Sequence, residues 1–153
     1  MRKPILVLDW DGVVHSYASG WKGATVIPDP PVPGALEFIF RALDTFDVHI
    51  LSSRSHQWGG RRAMKRYLKR ELERLGNDEI VPAWWKDYIC KHSAMEPWYV
   101  TVSECADRIV GLIKWPLFKP PAAVTLDDRG MTFTGTWPSI SELVSFKPWN
   151  KRT

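Results

Sequence analysis

The sequence predicts an α/β fold on a mainly parallel sheet. Three observations lead there. Short apolar runs of strand length alternate with longer stretches whose apolar residues recur at helical spacing. Three of the runs, at 5–8, 48–51 and 123–126, are apolar at nearly every position, as strands buried on both faces of a parallel sheet are. The chain has 153 residues, 44% apolar and 25% charged, which suits one domain with a substantial core rather than a disordered chain.

Ile5-Leu6-Val7-Leu8 reads as a central strand stopped by Asp9. Residues 15–34 are rich in Gly, Ser, Pro and Trp and read as a loop, with a small hairpin at Ala24–Ile27. Pro33 suits the first turn of a helix carried by Leu36, Ile39, Phe40 and Leu43. Val48-His49-Ile50-Leu51 is the second strand. After Gly59-Gly60, Met64, Tyr67, Leu68, Leu72 and Leu75 line one face of a long helix that Gly76-Asn77 ends. Residues 80–103 hold Trp84, Trp85, Trp98 and Tyr99 around Pro82 and Pro97 and are expected to contain a short strand at Tyr99–Val102. A helix follows over 103–112. Ala123–Leu126 is a further buried strand, Met131–Thr134 a last short one, and Ser139 caps a short helix through Val144.

The net charge is +4, with an isoelectric point near 9.2. Between Arg54 and Arg74 eight basic residues meet two acids, so this stretch is +6 while the rest is −2 (13 basic, 15 acidic). Such a stretch is either a solvated helix face or a patch that attracts a polyanion. No apolar run is long enough to span a membrane, and the apolar residues before Asp9 are too few for a signal peptide. With two cysteines and no need of a staple, a reducing, cytoplasmic setting is expected. Cys90, His92 and Cys105 lack the paired spacing of a zinc site.

Function is expected at the strand ends. In open α/β sheets ligands bind beyond the carboxyl ends of the strands. The first strand runs into Asp9-Trp10-Asp11-Gly12, the second into Ser52-Ser53-Arg54, and the late one into Asp127-Asp128-Arg129. Any one of these has an ordinary structural use, as a cap or a turn. All three at the ends of apolar runs gather four carboxylates, which repel unless a cation sits among them. Oxygen ligands of this kind suit Mg²⁺.

Asp9-Trp10-Asp11-Gly12-Val13-Val14 resembles the first motif of the haloacid dehalogenase superfamily of phosphohydrolases, and Asp127-Asp128 resembles its acidic fourth motif. Ser52 resembles the second motif, with Ser53 as its alternative. Lys119 resembles the third-motif lysine and is preferred to Lys114 because it stands directly before the late strand. The resemblance covers residues 5–135. It implies a single domain over 1–153 with a three-layer Rossmann-like fold and a minimal or absent cap. It also implies that Asp9 is a nucleophile forming an aspartyl-phosphate and that Asp11 is the general acid and base. Ser52 and Lys119 would meet phosphate oxygens. Mg²⁺ would be held by Asp9, the Asp11 carbonyl, Asp127 and Asp128. Gly12 lets the chain turn after the strand. Gly12, Ser53, Arg54, Arg129 and Arg62 are the expected substrate contacts, although Arg54 and Arg129 have acids close by to pair with instead.

Capless members of that superfamily tend to act on macromolecules or to oligomerise. An open site beside a +6 helix suits a nucleic-acid end, such as a 3′-phosphate, and the chain resembles the phosphatase domains of polynucleotide kinase/phosphatases and of nucleic-acid repair proteins. No Gly-x-x-x-x-Gly-Lys-Ser/Thr loop is present, so no kinase half is expected. One alternative is a phosphatase for mononucleotides or another small phosphoester, with 80–103 as a Trp-rich lid. Another is a non-catalytic nucleic-acid binder on the same fold.

Overall fold

The computed structural model describes residues 2–95 and 100–152. Its sheet is assembled from the three apolar runs. β1 (Ile5–Leu8) lies between β2 (Asp47–Ile50) and β3 (Val124–Leu126), and all three are parallel. β1 takes the centre because its four residues are all apolar, and Leu6, Val7 and Leu8 are buried. The register sets Leu8 opposite both Ile50 and Leu126, so the strands end at one level. The chain at Lys114 runs along the outer edge of β2: its N–H donates to Val48 and its carbonyl accepts from Ile50, both at 2.9 Å. The result is a mixed α/β fold with a small, open, all-parallel sheet and, among the described residues, five helices.

α1 (Ala35–Thr45) carries the chain from β1 to β2 and buries Leu36, Ile39 and Ala42. It starts one residue after Gly34, whose φ of 82° is left-handed, so Pro33 precedes the helix instead of opening it. α2 (Gly60–Gly76) buries Met64, Tyr67, Leu68 and Leu72, the face read from the sequence, and packs against α4 (Val102–Leu112). α4 opens on a reciprocal cap in which Thr101 and Glu104 satisfy one another's backbone N–H groups. α5 (Ile140–Ser145) opens on a like cap from Ser139 and Glu142, and buries nothing.

Several expectations are corrected. Residues 83–95, which carried no readable pattern, form α3 (Ala83–Met95). Trp85 is buried there, stacks on Tyr88 and donates its indole N–H to the Leu72 carbonyl at 3.0 Å, while Trp84 meets Phe40 of α1 at 4.9 Å. The tryptophans at 84 and 85 are therefore packing between helices, not a lid over the strand ends. Trp98 and Tyr99 lie outside the described residues. Of the strand expected at Tyr99–Val102, Val102 instead begins α4. No strand forms at Met131–Thr134, and Ala24–Ile27 is a turn rather than a hairpin. β3 forms as expected but is exposed along its length, because no described element covers the outer side of that edge strand. Among the described residues no helix is long and apolar enough to cross a membrane.

Candidate active site

The site begins where β1 stops. Asp9 extends the ladder by one residue, its N–H donating to the Leu126 carbonyl at 2.9 Å, and is thereby held at the carboxyl edge of the sheet. Trp10 is buried in the core. Its carbonyl accepts from Val14 and His15, both at 2.9 Å, which closes the chain into a tight turn. Gly12 sits in that turn at φ 85°, and a Cβ there would collide with the Asp128 carboxylate. Glycine is needed twice over, for the backbone angle and for the approach of Asp128.

The turn and the end of β3 bring Asp9, Asp127 and Asp128 together. One carboxylate oxygen of each lies within 4.8 Å of the others. Asp9 is pushed up to about 7, chiefly by burial; a backbone hydrogen bond at Trp10 opposes this, and repulsion from Asp127, Asp128 and Asp11 adds to it. Asp128 is raised as well, again first by burial, with the nearby Arg129 working against it and Asp127 for it. Both Asp128 oxygens are buried without a hydrogen-bond partner among the described residues, and the nearest cation, Arg129 Nε, is 3.8 Å away. Buried, repelling and unsatisfied carboxylate oxygens are what a hard divalent cation would relieve, so the donor set fits Mg²⁺ and fits other oxygen-seeking divalent ions equally.

Asp11 has a different environment. It accepts from Arg54 Nε at 2.8 Å, Arg54 Nη2 at 3.1 Å and His15 Nδ1 at 2.8 Å. His15 Nε2 accepts from the Asp29 N–H at 3.2 Å, which assigns the imidazole proton to Nδ1. Burial raises the Asp11 pKa, but the hydrogen bonds from His15 and Arg54 outweigh it and hold the carboxyl below its ordinary range. Arg54 is fully buried. Its remaining nitrogen, Nη1, donates to the carbonyls of Gly23, Ala24 and Val26 at 2.7–3.1 Å, and its guanidinium lies 4.5 Å from the Trp21 ring centroid. Of the two uses expected of Arg54, pairing with a nearby acid is the one seen here. It pairs with Asp11 and ties the 15–34 loop to the site, which uses four of its five N–H donors.

A cavity of about 260 Å³ opens at this edge between Asp9, Asp11, Ser52, Ser53, Asp127 and Arg129, with Tyr17 and Trp21 at its side. Ser52 is buried and accepts from the Arg54 N–H at 3.3 Å, capping the short 3₁₀ turn at Ser53–His56, so its own proton remains to be donated. Ser53 lines the same cavity and remains its alternative. The two lysines separate: Lys119 lines an adjoining cavity with Gly12, Asp127 and Asp128, whereas Lys114 donates to Asp47 at 2.7 Å, at the other end of β2. Arg62 is exposed on α2 and does not line either cavity. A larger cavity, about 1030 Å³, is lined by Lys3, Asp47, Trp84 and Lys114 and lies at the amino end of the sheet, away from Asp9, Asp127 and Asp128.

His15, Trp21 and Trp149 were not legible as site residues. Trp149 donates its indole N–H to the Gly12 carbonyl at 2.7 Å, so the C-terminal segment touches the turn. The spacing of Asp11 and His15 carries no signal by itself; only the turn at Gly12 makes them partners. No protein-family model, curated protein or solved structure matches this chain.

Proposed function

We propose that this chain is a Mg²⁺-dependent phosphatase that hydrolyses phosphomonoesters through an aspartyl-phosphate on Asp9, within a fold of the haloacid dehalogenase kind. The observation that carries the reading is the Asp9–Asp127–Asp128 cluster beside the Asp11–Gly12 turn, at the edge where three parallel strands end. Mg²⁺ would be held by Asp9, the Asp11 carbonyl, Asp127 and Asp128, and would supply Lewis-acid neutralisation of the phosphate charge.

The chain's own groups have these tasks. An Asp9 oxygen attacks phosphorus as the ester P–O bond breaks in line with it, and the leaving oxygen takes a proton from Asp11. Water then attacks the acyl-phosphate and gives its proton back to Asp11, which regenerates Asp9 and releases inorganic phosphate. Ser52 donates to a phosphate oxygen, and Lys119 balances the charge of the transferring group. Held by Arg54 and His15, Asp11 rests as a carboxylate at neutral pH, which suits the second step; it must take up a proton from solvent before it can serve the first, which makes that step the harder one for poor leaving groups.

The proposed substrate is a nucleic-acid end bearing a 3′-phosphate. A cavity of about 260 Å³ holds a phosphate and its surroundings but not a large ligand, so the body of the substrate must lie on the surface. The basic face of α2 is suited to receive it. The test is a panel of 3′- and 5′-phosphorylated oligonucleotides, mononucleotides and sugar phosphates, each with Mg²⁺ and with EDTA. The expected result is hydrolysis abolished by EDTA, with the highest kcat/KM on the 3′-phosphorylated strand. Preference for a mononucleotide would reassign the substrate, and EDTA-resistant hydrolysis would contradict the mechanism.

A further inference from the structure

Beside the candidate site stand aromatic side chains that the core does not bury. Trp58, immediately before Gly59 and the start of α2, is 96% exposed. Phe118, ahead of Lys119, is 78% exposed and its ring stands 6.0 Å from that of His56, in the 3₁₀ turn that Ser52 caps. Trp21 lies on the cavity itself, backed by the Arg54 guanidinium, and is still 44% exposed. These residues are brought to one edge by the same contacts that build the site. Arg54 fastens the 23–26 turn beside the cavity, and Gly59 approaches Thr25 of that turn so closely that a Cβ would stand 2.9 Å from its methyl group.

The basic residues of α2 beside this rim differ in their partners. Of the basic residues on α2, Lys69 bonds Asp107, Arg70 and Arg74 lie against Glu71, and Arg61 donates to the Trp115 carbonyl. Arg62 and Arg66, one helical turn apart and both exposed, have no acidic partner among the described residues. Aromatic faces next to unpaired cations suit a ligand with flat rings and a backbone of negative charge. A duplex offers its phosphates but hides its base faces, whereas a single strand offers both.

From this arrangement we infer that Trp58, with Trp21 and Phe118, forms a stacking platform for the unpaired bases of a single-stranded nucleic acid, which delivers a strand end to the Asp9 cavity. The assignment deepens the phosphatase reading and rests on it for the identity of the delivered end. Trp58 anchors the platform because its ring is exposed on the surface and stands three and four residues before Arg61 and Arg62.

The test measures binding alone, in EDTA, by anisotropy of a labelled single-stranded oligonucleotide without a terminal phosphate and of the matching blunt duplex. Wild type is expected to bind the single strand more tightly than the duplex. Trp58→Ala should weaken single-strand binding between about 5-fold and about 150-fold, the range found for loss of one base–aromatic stack, and Trp58→Phe should retain part of the affinity. Trp137→Ala removes a tryptophan that is 84% exposed in the C-terminal segment and should change nothing. Unaltered affinity in Trp58→Ala, an equal loss in Trp137→Ala, or equal affinity for the duplex would overturn the assignment. So would a wild-type dimer that Trp58→Ala disperses and that binds no strand, since the rim would then be an interface between copies. Hydrolysis does not enter this measurement. Trp58-dependent binding without phosphatase activity would keep the platform and remove the enzymatic reading, and hydrolysis without strand binding would do the reverse.

Discussion

Asp9 and Asp11 are two residues apart and electrostatically opposite. Burial and its acidic neighbours push Asp9 up to about 7, whereas Arg54 and His15 hold Asp11 low. The contrast has consequences for each. Arg54→Ala leaves the buried Asp11 carboxylate with the His15 hydrogen bond but without its cation, a change that costs roughly 3–5 kcal/mol, and thermal unfolding should show Tm lower by roughly 10 °C. A Tm within 2 °C of wild type, to take about the smallest shift a 1 kcal/mol change gives in a chain this size, would deny the pair its structural role. For Asp11 the readout is the leaving group. Asp11→Asn should depress kcat on an alkyl phosphate by about 10²–10⁴-fold and on p-nitrophenyl phosphate by much less, because a good leaving group needs no proton. Equal losses on both substrates would remove the general-acid assignment. At this scale the carboxylates were legible in the sequence, because each follows a strand. The His15–Asp11–Arg54 network was not, since residues 11 and 54 meet only after β1 and β2 have paired.

Among the elements, α2 was the most legible, because its apolar residues keep one helical stripe and glycines stand at both ends. α3 was not, because its aromatic and charged residues share no single stripe, and Trp84 and Trp85 bury against different neighbours. β3 was read as buried from its apolar letters alone, but burial also needs a covering element that the sequence does not announce. The partners of the α2 cations sharpen the test of its surface. Replacing Arg62 and Arg66 by Gln should reduce the slope of log K against log salt for a single strand by about 1.4, or 0.7 for each lost phosphate contact. Lys69→Gln should change it less, as Lys69 is held by Asp107 at 2.7 Å. An unchanged slope in the double variant would show that α2 is only a solvated face. The caps are independent of these surfaces. Thr101→Ala removes the side chain that caps α4 and should cost about 1 kcal/mol, seen as a Tm lower by about 2–4 °C.

The whole molecule couples its stability to the site. In the metal-free protein Asp9 binds its proton more tightly folded than unfolded, so it adds stability at low pH that is lost as pH rises from about 4 toward about 7. On the proposed reading Mg²⁺ would compete for the same oxygens and bind only the folded cluster, so it should raise Tm strongly at pH 8 and little at pH 5. A Mg²⁺ effect equal at both pH values, or absent at pH 8, would show that Asp9 is not a ligand. The α/β alternation and the central place of β1 needed only the pattern of apolar runs. The exposure of β3 and of the rim tryptophans needed the assembled molecule, and on that surface the substrate question turns.

Asp9 is proposed above all as the nucleophile of a metal-dependent phosphoryl transfer. This role is tested most directly by the rate of p-nitrophenyl phosphate hydrolysis by wild type and Asp9→Asn at saturating Mg²⁺, with the fold of both checked by thermal unfolding. Wild type is expected to show turnover that EDTA abolishes, and folded Asp9→Asn to lose more than about 10³-fold. Equal rates for the two proteins, or no Mg²⁺-dependent turnover by wild type, would contradict that role.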